Sequence, residues 1–364
     1  MFVHSVHLYN FRNYGESSFA FEKRLIAITG RNGCGKTNLV DAIHYLCLTK
    51  SYFATTDFQN IRHQASGFAL RATIEKELVH TIKCRVEKDK RKDFYLDDQR
   101  YERLSDHIGS FPVVFSAPTD ATLIYGGSEE RRRLLDIALS QTDPLYLQQL
   151  QEYNRLLLQR NALLKSFAES GSFNASLLET YDEKIIGPAT YLYQHRKRAV
   201  MEIGAPLQQL CNLLSDEHES MTLHYASDLS ETSQEALLAA NIAKDRASGR
   251  TTAGIHRDDL LFSMDDNVIR RFASQGQQKS FLLALKLGIY EWLRQKTGIK
   301  PLLILDDVFD KLDAQRSRRL LHILFSDNYG QVFLTDTDHD LLRKMLTSRD
   351  DATLLHLENF PVTS

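Results

Sequence analysis

Cysteine is scarce: four residues in 364, at positions 34, 47, 84 and 211, are too few and too scattered for a disulfide framework. No C-x-x-C pair or histidine at zinc spacing accompanies them, which excludes a zinc module. They read as reduced thiols of a cytosolic protein. Charge of one sign is lacking too, since 45 Lys+Arg against 47 Asp+Glu leave a formal net charge of -2. The protein as a whole exerts no pull on a polyanion, so any such contact must come from local basic clusters. No apolar run nears the ~20 residues of a bilayer span. Met1 to Leu8 alternates like a strand and lacks the basic-then-apolar plan of a signal sequence. The expectation is a soluble, cytoplasmic protein that contacts no membrane. Internal repeats and low-complexity tracts are missing, which excludes repeat arrays. What the chain does have is 43% apolar residues, enough for a substantial core.

Two motifs of nucleotide chemistry stand near opposite ends of the chain. Gly30-Arg31-Asn32-Gly33-Cys34-Gly35-Lys36-Thr37 matches the pattern G-x-x-x-x-G-K-[ST], and the apolar run Leu25-Ile26-Ala27-Ile28 precedes it. Glycine is needed because the loop amides turn inward, where a Cβ would block the conformation or the approach of phosphate. Lys36 supplies a point charge to the β and γ phosphates of ATP, and the Thr37 hydroxyl is a ligand for Mg2+. The helix that follows directs its positive end at the phosphates. At the far end, Leu302-Leu303-Ile304-Leu305 closes on Asp306 and Asp307. A carboxylate ending a buried apolar strand needs a charged partner, so Asp306 is the expected second Mg2+ residue. Two roles are open for Asp307: orienting or deprotonating the attacking water, or shaping the metal site.

Shortly upstream of the acidic strand, Ser274-Gln275-Gly276-Gln277-Gln278 opens an apolar helix. That placement is the signature motif of ABC-type ATPases. Gly276 permits backbone approach, while Ser274 and Gln277 can donate hydrogen bonds to a γ-phosphate. In that architecture a signature cannot reach the phosphate loop of its own chain and caps the nucleotide of a second copy. An ATP-closed homodimer is therefore expected. Asp313 falls where the superfamily places its D-loop aspartate at the dimer seam, and it equally suits the N-cap of a helix starting at Ala314. Glutamate is usual in ABC-type ATPases where Asp307 stands, and the shorter side chain predicts slow hydrolysis.

Period and composition divide the chain. Residues 1 to about 115 read as short strands around one loop-helix unit. Leu70 to Glu75, Leu78 to Glu87 and Phe94 to Leu96 form an expected antiparallel meander with the charged tip Lys88 to Asp93. From residue 129 the period turns helical. Leu147, Leu150, Leu157 and Leu164 mark one face of a helix of ~30 Å, and Ser170-Gly171-Ser172 breaks it. Gly187-Pro188 is expected to kink or interrupt a second helix. From about residue 250 α/β character returns, with short buried strands at Leu302 to Leu305 and Gln331 to Thr335. The fold class is α/β: an ABC-type ATPase head with a mixed sheet from 1–128 and 250–364, and an inserted mainly helical lobe from 129–249.

The ordered set resembles the RecF family of bacterial recombination mediators over essentially the whole chain. The resemblance is carried by Asn10-Phe11-Arg12-Asn13-Tyr14, by the phosphate loop from Gly30 through Asn38, and by Gln159-Arg160-Asn161-Ala162-Leu163-Leu164-Lys165. The most discriminating pair is Gly254-Ile255-His256-Arg257-Asp258-Asp259-Leu260 followed by Ala273-Ser274-Gln275-Gly276-Gln277-Gln278-Lys279. Ile255 departs from the family's usual proline. Leu334-Thr335-Asp336-Thr337-Asp338 has no histidine where many ABC ATPases carry a γ-phosphate sensor; Thr335 and Thr337 offer hydroxyls, but a negative Asp336 repels phosphate, and the role stays open. No glutamine after Phe115 sits at an obvious Q-loop position. The resemblance implies a protein that binds double-stranded DNA and gap junctions between single and double strands. It implies closure as an ATP-dependent homodimer, partnership with RecR, and action with RecO to load RecA.

Basic clusters available for phosphates are Lys83 with Arg85, Lys88 to Lys92, Arg131 to Arg133, Arg196 to Arg198, Arg270-Arg271, and Arg316 with Arg318 and Arg319. Arg196 to Arg198 is the lobe cluster expected to flank a groove. Each is open to the plainer reading of a solvated surface or local ion pair, as His256 is to that of a buried, hydrogen-bonded histidine. Few aromatics interleave these clusters, which argues against a single-strand stacking platform. Two other classes share parts of this pattern. A membrane-transporter motor needs a shorter interval between phosphate loop and signature. A nuclease needs a separate acidic cluster, for which Asp258-Asp259 and Asp265-Asp266 are the candidates, or else simply polar loop residues.

Overall fold

The structure is a computed structural model of the chain and describes residues 1–215, 220–309, 312–337, 339–346 and 349–357. The chain opens with β1 (Phe2–Phe11), β2 (Tyr14–Ala20), β3 (Leu25–Thr29), α1 (Lys36–Leu48), β4 (Gly67–Glu75), β5 (Val79–Glu87), β6 (Asp93–Leu96), β7 (Gln99–Arg100) and β8 (Val113–Ser116). A mainly helical stretch follows with α2 (Thr122–Tyr125), α3 (Ser128–Ser140), α4 (Pro144–Ser170), α5 (Ala175–Leu214), β9 (Met221–Ala226), α6 (Gln234–Ser248), β10 (Asp259–Met264), β11 (Asn267–Val268) and α7 (Ile269–Phe272). The last run is α8 (Gln275–Thr297), β12 (Leu302–Leu305), α9 (Ala314–Leu324), β13 (Val332–Asp336), α10 (His339–Leu346) and β14 (Ala352–His356). Packing separates two compact units: residues 1–120, 210–217 and 275–364, and residues 121–209 and 218–274.

The first unit holds two sheets. One is parallel, in the order β14-β3-β13-β12-β8. Every residue of β3, β12 and β13 is buried, which explains why these strands read as continuous apolar runs without alternation. Helix α1 packs on this unit through Leu39, Val40, Ile43 and Leu46, all buried. The second sheet is antiparallel, β2-β1-β4-β5-β6-β7. The expected meander is present there as β4, β5 and β6. In β1 both Val3 and Val6 are buried although three positions apart. A register shift between Val3 and Ser5 against β4 accounts for it, since one extra residue returns the side chain to the core face.

The second unit is built on α4 and α5. Asp143 caps α4, accepting the Leu145 N–H, with Pro144 at the first helical position, and Gly171 ends the helix at φ 68°. Of the leucine face expected for this helix, Leu164 is buried and the other three leucines are not. Tyr146, Tyr153, Leu156, Arg160 and Leu164 are buried, while Leu147, Leu150 and Leu157 lie at its margin. Two tyrosines and an arginine in heptad register carry the packing stripe, because their polar tips find partners inside. The helix runs 27 residues, about 40 Å, and is longer than expected. Helix α5 runs unbroken through Pro188 and Pro206. The anticipated interruption at Gly187-Pro188 does not occur. The lobe also contains a small sheet, β11-β10-β9, whose strand β9 the sequence pattern did not announce.

Candidate nucleotide site

Strand β3 ends at Thr29 and hands over to a loop whose glycines occupy conformations closed to other residues. Gly33 has φ 83°, with nothing within 4 Å of an added Cβ, so backbone geometry alone requires glycine there. At Gly35, φ 110°, a Cβ would also stand 2.7 Å from the Tyr14 hydroxyl. Tyr14 donates from that hydroxyl to Gly35 O at 3.1 Å, and Asn38 Nδ2 donates to Asn13 Oδ1 at 2.6 Å. Arg12 reaches Asp41 at 2.8 Å and Asn38 Oδ1 at 3.2 Å. The segment Asn10 to Tyr14 is thus the brace of the loop-helix unit. Sequence reasoning marked it only by family likeness and missed Arg12 and Asp41 as a pair.

Lys36, at the first position of α1, is buried and donates from Nζ to Gly30 O at 2.6 Å and Arg31 O at 3.2 Å. Thr37 Oγ1 lies 3.0 Å from both carboxylate oxygens of Asp306. Strand order explains the meeting. β13 lies between β3 and β12, and all three point their carboxyl ends the same way, so the residues just past β3 and β12 converge there. Thr335 on β13 completes the group, donating to Asp306 Oδ1 at 2.6 Å and accepting the Asp307 N–H at 2.9 Å. Its hydroxyl is thereby committed to positioning the carboxylates. Burial raises the Asp306 carboxyl above its ordinary range, and Thr335 and Thr37 only partly offset this. A buried carboxylate beside a threonine hydroxyl is an all-oxygen donor set short of positive charge, which fits a hard divalent cation. Asp307 follows at φ 49°, where the backbone leaves the strand direction.

Arg31 and Asn32 of the loop are exposed and Cys34 is half-buried. Ser274 directly precedes α8, with Gly276 and Gln277 in its first turn. A Cβ at Gly276 would meet Arg316 Nη1 at 2.3 Å, so this arginine lies against the signature glycine. Asp313 caps α9, its Oδ1 accepting from Gln315 N at 3.0 Å and Arg316 N at 2.8 Å. Asp310 and Lys311 lie outside the described residues. Where a Q-loop glutamine was sought, the chain offers Asp120, which accepts the Ala117 N–H at 2.8 Å and pairs with buried Lys286 of α8 at 2.9 Å.

Most basic clusters are already engaged. Arg196 is 3% exposed and pairs with Asp136 at 2.9 Å, so it cannot flank a groove; only Lys197 and Arg198 of that cluster are exposed. Arg131 pairs with Asp259 at 2.7 Å, and Arg132 donates to Asp258 O at 2.6 Å. Lys83, Arg85 and Lys90 pair with Asp98 and Glu87. Lys92 ties Asp57 at 2.9 Å. Arg270 and Arg271 remain exposed. His256 follows the plainer reading: its Nε2 donates to Thr251 O at 3.2 Å and Nδ1 accepts from Tyr153 at 2.8 Å. Asp258 and Asp259 serve Tyr225 and Arg131, and among the described residues no three acidic, histidine or cysteine side chains cluster as a metal site. No described helix is long and apolar enough to cross a membrane.

A parallel sheet with a phosphate loop after β3 and paired aspartates after β12 defines a nucleotide-binding head of the SMC and ABC type. The family model described as RecF/RecN/SMC N terminal domain matches residues 2–354. A protein of Flavobacterium johnsoniae named DNA replication and repair protein RecF is 40% identical over 93% of this chain and 94% of its own. Its namesake in Parabacteroides distasonis is 37% identical over 98% of both. The chain belongs to the RecF family. Solved structures of the recombination mediator protein RecF in the RecFOR pathway, with ATPrS and with ATP, superpose at TM-scores of 0.85 and 0.86. They are 27% and 26% identical, covering 93% of this chain and 93% and 92% of theirs. An Smc head bound to the C-winged helix domain of ScpA shares the fold, with a TM-score of 0.55 at 16% identity, over 95% of this chain and 92% of that one.

Proposed function

We propose that the protein is an ATP-driven clamp on double-stranded DNA that serves recombinational repair. The observation that carries this reading is the meeting of Lys36, Thr37, Asp306 and Thr335 at the carboxyl ends of parallel strands. Relatives solved with ATP and an ATP analogue support it. In this reading loop amides from Gly30 to Gly35 cradle the phosphates, and Lys36 releases its loop carbonyls to meet the β and γ oxygens. Thr37 and Asp306 hold Mg2+, which supplies neutralising charge to those oxygens when bound. Asp307 orients the attacking water. Its short side chain keeps turnover slow, which suits a switch better than a motor. Ser274, Gly276, Gln277 and Asp313 complete the pocket of a second copy, so ATP closes two heads around the duplex. RecR, RecO and RecA are the proposed partners at gap junctions.

The test is sizing of the protein with ATP, ADP or no nucleotide, with and without duplex DNA. A dimer with ATP that retains DNA is expected, and Lys36→Ala or Ser274→Arg leaves a folded monomer. Dimerisation unchanged in both variants overturns the reading, and Mg2+-dependent cleavage of gapped DNA replaces it with a nuclease.

A further inference from the structure

A cavity of about 290 Å3 lies in the helical unit, lined from α4, α6 and the segment that follows α6. Three cations, Lys244, Arg250 and Arg257, stand around a polar floor of Asn161, Thr252 and His256. All three are exposed, and among the described residues their side chains have no ion-pair or hydrogen-bond partner. In the same unit Arg131, Arg160 and Arg196 each meet a carboxylate, as these three do not. The acid in the segment from 244 to 257, Asp245, is unable to answer them. It is fully buried, with one oxygen taken by Arg160 at 2.7 Å and the other by Thr252 through N–H at 2.8 Å and hydroxyl at 2.6 Å.

The floor is held rigidly and its donors and acceptors are assigned. Asn161 Oδ1 accepts from Thr251 N–H and hydroxyl, both at 2.7 Å. A backbone N–H can only donate, so the Asn161 amide nitrogen is the donor left over. A carbonyl can only accept, so His256 Nε2 carries the ring hydrogen toward Thr251, and Nδ1 takes the Tyr153 hydroxyl. Burial chiefly, with Arg257 and Arg132 nearby, lowers His256 to about 4 and leaves it neutral. The lining therefore offers cations and neutral donors without a carboxylate. It also offers no apolar or aromatic wall on which a base could stack, apart from the edge of His256.

We infer that this cavity seats a backbone phosphate of duplex DNA. A small free anion is best held by enclosed donors; here the charge stands at an open rim, where a polymer too large to enter can rest a phosphate. Contact of this kind positions the duplex without reading its sequence. The inference rests on the DNA-clamp reading and gives it a site.

The experiment is duplex affinity across a salt series, with ATP analogue present, for wild type, Arg257→Lys, Arg257→Ala and the triple variant Lys244→Ala, Arg250→Ala, Arg257→Ala. Each lost cation is expected to weaken binding on the order of tenfold, equally on unrelated sequences. The slope of log K against log salt is expected to fall by about 1 per cation, and Arg257→Lys to retain most affinity. ATP-dependent dimerisation and melting stay at wild-type values, since the three side chains are exposed. Full affinity and an unchanged slope in the triple variant overturn the inference, as does inorganic phosphate binding that the triple variant loses while DNA affinity holds. Failure of wild type to bind duplex at all instead overturns the clamp reading.

Discussion

The two units place their charges in opposite ways. In the parallel-sheet unit the polar and charged groups of the site stand where strands end: Lys36 and Thr37 follow β3, and Asp306 and Asp307 follow β12. In the helical unit two arginines are buried in mid-helix. Arg160 of α4, fully buried, reaches Asp182 of α5 at 2.5 Å and Asp245 of α6 at 2.7 Å, and Arg196 of α5 reaches Asp136 of α3 at 2.9 Å. The first arrangement leaves groups at a strand mouth where a ligand can approach. The second consumes them as fasteners between helices. Aspartate, common to both, thus does different work according to whether backbone termination or helix packing positions it.

The sharpest way to break that contrast is to remove a fastener. Arg160→Leu leaves Asp245 fully buried without its cation, and a loss of about 3–5 kcal/mol is expected in chemical denaturation. Lys286→Met tests the comparable buried pair of the sheet unit, with a loss of the same order because Asp120 is stranded. Adding Asp120→Leu to Lys286→Met should recover most of it. A cost below about 1 kcal/mol for Arg160→Leu would show that the lobe does not depend on its buried charge.

Acid compares the units next. His107 in the sheet unit donates to Leu46 O at 2.7 Å, and burial lowers both His107 and His256 to about 4. The folded value lies below the unfolded ~6.5, so each histidine's contribution is complete above that pH and is lost as pH falls toward 4. The window is worth roughly 3 kcal/mol per histidine. His107→Gln and His256→Gln are each expected to flatten the stability profile between those limits. An unaltered profile in both would mean other groups govern acid unfolding.

The smallest effect separates function from fold. Thr335→Val removes the hydroxyl bridging Asp306 and Asp307, and should lower ATP turnover about 10- to 100-fold with little change in melting. Thr335→Ser should restore it. Equal turnover by the valine variant would release Thr335 from any positioning role.

This contrast also explains what could be read in advance. The loop from Gly30 to Thr37 is contiguous because one turn of backbone makes the phosphate cradle, so its chemistry is written in eight adjacent letters. Likewise β12 and β13 are apolar on both faces and stand out as runs. Arg196 and Arg160 were illegible because their partners lie far along the chain, and a buried arginine looks like a surface one until its aspartate is located. The leucines of α4 misled for a related reason: Tyr153 finds His256 and Tyr146 finds Asp136, so polar tips allowed tyrosines to take the inner face. Pro188 did not break α5, which local propensity could not foresee.

The order β14-β3-β13-β12-β8 sets a timetable for synthesis. The strand that carries the phosphate loop leaves the ribosome well before either of its neighbours, β13 and β14, which lie far along the chain. Until β12, β13 and β14 are made, that strand has two unmated edges and Thr37 has no Asp306 opposite it. Nucleotide competence therefore waits for β12 and β13, and nascent fragments ending before residue 302 should neither retain ATP nor seize DNA.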